Sequence, residues 1–219
     1  MEIKKHHIEE ALTQDLFESF IDKYRGFSRL MAYYNCAMME VETKLRVLNE
    51  EFSVVQDRNP IQSIKCRLKT PDSILEKLGR RGFEQSLSSL EKNLNDVAGV
   101  RIICPFEADV YDIATSLINQ DDVNLIQKKD YIKKPKPNGY RSLHLIVEVP
   151  IYLAESKRNI KVEIQIRTIA MDFWATLEHQ LRYKKNNHLP EAISAELLEC
   201  AHISKELDRR MDGLREEVL

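Results

Sequence analysis

Three short runs of this 219-residue chain place chemically capable side chains at alternate positions. Successive side chains of an extended strand point to opposite faces. In "SIKCRLK" (63–69), a core-facing set of Ile64, Cys66 and Leu68 leaves Lys65, Arg67 and Lys69 together on the other side. In "KVEIQIRT" (161–168), burying Val162, Ile164 and Ile166 aligns Glu163, Gln165 and Arg167. In "NGYRSLHLIV" (138–147), Tyr140, Ser142 and His144 lie opposite Leu143, Leu145 and Val147. Any one of these faces reads as ordinary solvated strand. Together they offer a triply basic face, an acid beside an amide, and an aromatic ring beside an imidazole.

That set suits phosphoryl chemistry, which wants carboxylates for a divalent cation and Lys/Arg to neutralise a polyphosphate. Asp96 opens the strand "VAGVRIIC" (97–104) and reads either as a turn residue or, with Glu163 on a neighbouring strand, as half of a site for a hard cation. Tyr140 follows the proline-stiffened basic loop "KKPKPNG" (133–139), which brings Lys136 alongside a ring able to stack on a base. Glu178 falls within the apolar stripe of Met171, Trp174 and Leu181 on a helix over 169–185. A carboxylate there needs a partner or a polar cleft. Neither G-x-x-x-x-G-K-[ST] nor G-x-G-x-x-G occurs, so side chains, not a glycine-rich loop, would hold phosphates.

The elements that must carry these residues follow from periodicity. Period-two runs at 63–69, 97–104, 123–132, 143–149 and 161–168 predict about five strands, with helices at 72–82, 84–93, 109–118 and 169–185 between them. Thr70 and Pro71 supply a cap and a first-turn proline for the first of these helices. An amphipathic helix is predicted over 6–24, stopped near Gly26, then a longer one over 28–55. Its stripe of Met31, Tyr34, Met38, Val41, Leu45, Leu48 and Phe52 is narrower than the face of a helix lying on a sheet. After Pro190 a similar stripe runs through Ile193, Leu197, Cys200, Ser204, Leu207, Met211, Leu214 and Val218. Either the two helices pack on each other, or one pairs with another subunit. The expected fold is α/β (α+β): a mixed sheet flanked by helices in a single domain over 1–219, with N-terminal helices to 55, a core over 60–185 and a C-terminal helix over 190–219.

Composition sets the outer limits. Hydrophobic residues make up 43% and charged residues 31%, an ordinary globular balance. A net charge of −2 argues against bulk capture of DNA or other nucleic acid, so any basic site is local. Cys36, Cys66, Cys104 and Cys200 show no C-x-x-C pairing and read as free thiols. With neither a signal-peptide pattern nor an 18-residue apolar run, the expectation is a cytoplasmic protein without a membrane partner.

The segments "NPIQSIKCRLKTPDSILEKLGRRG", "NDVAGVRIIC", "KKDYIKKPKPNGYRSLHLIVEVP" and "VEIQIRTIAMDFWATLEHQLRYK" resemble the synthetase domain of the RelA/SpoT homologues, over roughly residues 28 to 215. The short helical ends are similar to the stand-alone small alarmone synthetases of the RelP type. The resemblance implies a nucleotidyltransferase-like fold with helical extensions. It implies transfer of the β,γ-pyrophosphate of ATP to the 3′-hydroxyl of GDP or GTP, giving AMP and (p)ppGpp, with Mg²⁺ as cofactor and a homo-oligomer, a tetramer by analogy. Carried over by motif, Asp96 and Glu163 would hold Mg²⁺, and Glu163 would accept the hydroxyl proton. Arg67 and Arg101 would sandwich adenine, with Lys69, Ser73, Lys77 and Arg80 towards the rest of ATP. Tyr140 would stack on guanine, and Lys129, Lys136, His144, Gln165, Asp172 and Glu178 would serve the acceptor. Position 172 is Asp where some relatives carry Asn.

Strict alternation puts Asp96 and Arg101 on opposite faces, so either Gly99 marks a bulge or Arg101 reaches around an edge. Two other readings share the motifs: a synthetase-like toxin that pyrophosphorylates the 3′ end of tRNA, and a non-catalytic nucleotide or RNA sensor. The charge of −2 speaks against the first, and the full set of carboxylates and cations against the second.

Overall fold

In the computed structural model the backbone is described for residues 2–55, 58–184 and 189–218, and side chains for 21, 24–55, 58–182 and 189–218. The period-two runs form β1 (Ser63–Leu68), β2 (Ala98–Cys104), β3 (Asn124–Asp130), β4 (Leu143–Tyr152) and β5 (Lys157–Thr168). They make one sheet in the order β1-β2-β5-β4-β3, parallel between β2 and β5 and antiparallel elsewhere. The helices are α1 (Glu2–Val55), α2 (Pro71–Arg80), α3 (Leu87–Asn93), α4 (Glu107–Ile118), α5 (Ile169–Lys184) and α6 (Glu191–Val218). None of them is long and apolar enough to cross a membrane.

Capping chemistry sets the short helices. Thr70 caps α2 through the amide of Ser73, with Pro71 in the first turn, and Ser86 caps α3 through the amide of Ser89. The buried alternates Val100, Ile102, Leu145, Val147, Val162, Ile164 and Ile166 form one core with α1 and α4. Their neighbours along each strand are therefore turned to the opposite, polar face.

Two features of α1 differ from the sequence expectation. It runs without interruption through Gly26, since a single glycine costs a helix only about 1 kcal/mol; an added Cβ there would sit 3.0 Å from Leu87 of α3. Of the predicted 6–24 face, the side chains of residues 6–20, 22 and 23 lie outside the described residues. The 28–55 stripe packs neither on α6 nor on another subunit but on the sheet of its own chain: Tyr34, Met38, Val41, Leu45 and Leu48 are all buried in the sheet core. Ala37, fully buried beside them, widens the face and was overlooked because it is small. On α6 the packed side is instead Ala201 and Asp208, against α5 and α4.

The basic loop between β3 and β4 is closed by its own backbone. The amide of Gly139 donates to the Lys136 carbonyl at 2.8 Å, and that of Lys136 to the Tyr140 carbonyl at 3.1 Å. Gly139 has φ of 87° and lies against α6, where an added Cβ would meet Ala201 Cβ at 2.5 Å. Arg141 then reaches past it, donating to Asp208 at 2.9 Å and Glu107 at 2.8 Å. Gly139→Ala is expected to be destabilising by roughly 1–3 kcal/mol, from the left-handed backbone and the clash together. Thermal melting should show Tm several degrees lower; an unchanged Tm would mean that the loop does not need α6.

Candidate functional site

Register turns the polar face into rows. One row crosses all five strands: Lys65, Arg101, Gln165, His144 and Lys129. The next holds Arg67, Gly99, Glu163, Ile146 and Gln127. Gly99 lacks a side chain where Arg67 and Glu163 flank it, and this opens the floor of a cleft of about 400 Å³. Its walls include Lys65, Arg67, Lys69, Asp96, Arg101, Glu163 and Gln165. A second cleft of about 200 Å³ is lined by Gln127, Lys129, Tyr131, Lys136, His144, Ile146 and Glu163. Glu163 belongs to both.

Asp96 resolves the alternation problem in a third way. It precedes β2, whose register with β1 has no bulge at Gly99, so strand alternation does not apply to it. Its Oδ2 lies 3.1 Å from Lys69 Nζ and also pairs with Lys77. Its Oδ1 is buried and, among the described residues, has no hydrogen-bond partner. Burial pushes the Asp96 carboxyl up, but the two lysines outweigh it and hold the group below the usual range. Burial raises Glu163 too, and there His144 and the amide of Gln165 more than offset it. Both carboxylates are thus ionised at neutral pH. An orphaned carboxylate oxygen and a second carboxylate on the same cleft fit a hard divalent cation, which takes oxygen ligands.

Around the second cleft the side chains are tied together. Gln165 Nε2 donates to Glu163 Oε2 at 2.9 Å, and His144 Nδ1 lies 3.7 Å from Glu163 Oε1. The Tyr140 hydroxyl is 2.8 Å from His144 Nε2. Tyr140 stands at the border of this cleft, edge-on to Tyr131 with ring centroids 6.0 Å apart. Lys136 Nζ lies 4.8 Å from the centroids of both tyrosine rings.

Not every expected residue joins the clefts. The Ser73 amide and hydroxyl are engaged by the Thr70 cap, and Arg80 is exposed on the last turn of α2. Glu178 pairs with Arg182 and accepts from Asn138 Nδ2 at 3.0 Å, so it braces the basic loop from α5. Asp172 is held by Arg167 at 3.1 Å and Arg101 at 3.4 Å. Burial and the neighbouring Arg167 lower the pKa of Arg101. Conversely, Tyr131 and Gln127 line the second cleft although sequence reasoning marks neither as a site residue, and Lys65, read only as part of the basic face, lines the first. Tyr131 was legible in principle, two residues after Lys129 on an alternating strand.

Residues 66–188, more than half of the chain, match the family model described as "Region found in RelA / SpoT proteins". The chain belongs to the RelA/SpoT family. It is 45% identical to the GTP pyrophosphokinase YwaC of Bacillus subtilis over 185 residues, covering 84% of this chain and 88% of that one. Among solved structures it is similar to the small alarmone synthetase 2 of B. subtilis, with a TM-score of 0.80 and 43% identity over 88% of this chain and 99% of the other. It is also similar to the small alarmone synthetase 1 of that organism bound to its product pppGpp, with a TM-score of 0.81 and 35% identity over 88% and 97%.

Proposed function

We propose that this protein is a small alarmone synthetase, a GTP pyrophosphokinase that moves the β,γ-pyrophosphate of ATP to the 3′-hydroxyl of GDP or GTP. The observation that carries the reading is Glu163, the one ionised carboxylate shared by two basic clefts. The larger cleft, with Arg67, Lys69, Arg101 and neighbouring Lys77, suits ATP; Ser73 and Arg80 lie outside its lining. The smaller, with Lys129, Lys136 and His144 beside Tyr140, suits the acceptor nucleotide. Glu163 takes the proton of the 3′-hydroxyl as that oxygen bonds to the β-phosphorus. The bond from the β-phosphorus to the bridging oxygen breaks, and AMP leaves with that oxygen. Lysine and arginine side chains offset the charge gathered at the transferred group. Asp96 and Glu163 would hold Mg²⁺, which supplies further charge neutralisation at the phosphates.

The tRNA end as acceptor finds no support among the relatives compared. ATP and GDP as substrates favour work in the cytoplasm. We read the assembly as a homo-oligomer, a tetramer by likeness to the family. Supporting it are the exposed apolar positions Ile169, Phe173, Leu177 and Leu181 on α5 and Leu207, Met211 and Leu214 on α6, which nothing in the described chain covers.

The chemistry is tested with γ-labelled ATP offered GDP, GTP or bulk tRNA in separate reactions. Label is expected in the guanine nucleotides, and labelled tRNA alone would reverse the assignment. Glu163→Gln keeps size and polarity, so a folded but inactive protein is expected, with a loss of at least ~10²–10⁴ in rate. Asp96→Asn and excess EDTA should silence transfer as well. Near-normal turnover of folded Glu163→Gln would end its role.

The two pockets are separable by kinetics. Losing a stacking partner costs ~1–3 kcal/mol per base, or roughly 5- to 150-fold in an apparent constant. Tyr140→Ala should raise KM for GDP or GTP by such a factor and spare ATP; Arg67→Ala should do the reverse. The opposite pattern would exchange the pockets.

For the assembly, light scattering should find a species heavier than 25.6 kDa, and Leu207→Asp or Met211→Asp should shift it towards that mass. A wild type at 25.6 kDa would exclude the oligomer.

A further inference from the structure

Arg167 is nearly fully buried, yet no step of the proposed reaction uses it. Its three side-chain nitrogens all donate hydrogen bonds. Nη2 reaches the Tyr140 hydroxyl at 2.6 Å and Gln165 Oε1 at 3.0 Å, Nη1 reaches Asp172 Oδ1 at 3.1 Å, and Nε reaches Ser142 Oγ at 3.4 Å. We propose that Arg167 is a positioning residue that couples the two nucleotide clefts, holding Tyr140 and Gln165 on the acceptor side and Asp172, the anchor of Arg101, on the ATP side. This rests on the assignment of the two clefts made above.

A guanidinium only donates, so everything bonded to Arg167 must offer it an acceptor. Gln165 therefore turns its carbonyl oxygen to Arg167, which leaves its NH₂ for Glu163, as the 2.9 Å contact has it. The ionised Glu163 can only accept, so a neutral His144 turns its proton-bearing Nδ1 towards it and leaves Nε2 to accept from the Tyr140 hydroxyl, which keeps a lone pair for Arg167. Arg167, which only donates, and Glu163, which only accepts, thus set between them the direction of the donors in the circuit Arg167, Gln165, Glu163, His144, Tyr140, with Arg167 fixing the Gln165 amide. Without Arg167 the amide of Gln165 is free to flip and present an acceptor to the carboxylate.

On the other side Arg167 and Arg101 share the same oxygen of Asp172, at 3.1 and 3.4 Å. Among the described residues Arg101 holds it by this one long bond, and its buried Nε has no partner. Removing Arg167 would leave Asp172 to Arg101 alone and draw that arginine away from the cleft. The same substitution should therefore weaken both nucleotides, although Arg167 lines neither cleft.

The test is a set of steady-state cycles on the full chain. Arg167→Lys keeps the buried charge but replaces a planar fork with a single ammonium that cannot span Tyr140 and Asp172 together. It should raise KM for both nucleotides by about 10-fold, the scale of one hydrogen bond to a charged group. Tyr140→Phe should raise KM for the acceptor alone and add nothing in the Arg167→Lys background. Asp172→Asn in that background should restore KM for ATP by releasing Arg101, a rescue that a purely structural role would not give. KM values unchanged in a folded Arg167→Lys protein, or effects of Arg167→Lys and Tyr140→Phe that simply multiply, would overturn the coupling. If Arg167→Lys does not fold, Tyr140→Phe and Asp172→Asn form the cycle, since each bonds Arg167 and neither bonds the other. Non-additivity of 3-fold or more on the acceptor KM then supports the proposal, and strict additivity overturns it. Failure of Tyr140→Ala to raise the acceptor KM would be a different result, striking the cleft assignment itself.

Discussion

The register of β5 against its two neighbours is the constraint on which the site depends. β5 runs parallel to β2 and antiparallel to β4, and its alternates Val162, Ile164 and Ile166 are fully buried. A slip by one residue would carry all three into water and bring Glu163, Gln165 and Arg167 into the core. Each buried aliphatic side chain is worth roughly 1.5–3 kcal/mol, so the slip is heavily disfavoured before any polar contact is counted. The row Lys65, Arg101, Gln165, His144, Lys129 is a by-product of that burial. Core packing sets the positions, and the polar side chains are simply what stands there.

Charge is arranged on the same principle of local compensation. The chain is nearly neutral overall, so the basic clefts are balanced elsewhere in the structure. Some of that balance is structural: Arg58 pairs with fully buried Asp109, and Arg141 with buried Asp208. Such pairs are weak evidence for stability, because desolvation opposes the Coulomb attraction, but breaking one leaves a buried charge uncompensated. Their place in the fold is informative. Arg141 lies between Tyr140 and Ser142, and its two carboxylates come from α4 and α6. The basic loop is thereby fixed to the helical side of the molecule while its ring and lysines face the cleft.

What was legible in the sequence follows from the same physics. Alternation located five strands and sorted Lys65, Arg67, Glu163, Gln165 and His144 onto one face, because period two survives whatever the tertiary context. It failed at Asp96, which precedes its strand, and at Ser142, which donates to the Ile166 carbonyl from a fully buried position instead of facing a site. The role of α1 was missed because counting only large residues hides Ala37, and Gly26 looked like a stop because local propensity cannot register tertiary packing. Glu178 was correctly marked as a carboxylate in need of a partner. That its partners are Arg182 and Asn138 depends on how a loop folds back on α5, which periodicity does not encode.

A carboxylate held below its ordinary pKa is ionised at neutral pH but is a weak base towards a ribose hydroxyl. In the proposed reaction, proton removal by Glu163 would therefore supply only part of the rate. Phosphoryl transfer has little covalent chemistry for a protein to perform, and most of the barrier must be met by positioning and by fixed charge. Positioning at that level requires side chains whose own rotamers are locked by packing and hydrogen bonds. Glu163, Gln165 and Arg167 sit on the most enclosed strand of the sheet, His144 and Arg101 on the strands that flank it, and Asp172 on the first turn of the helix that β5 leads into. The loop bearing Tyr140 and Lys136 lies outside this frame and is tied back through Arg141, Asn138 and Arg167, as Asp96, ahead of β2, is held by Lys69 and Lys77. The rigidity that a five-stranded sheet acquires by packing one face into a core is thus the same rigidity that its chemistry requires.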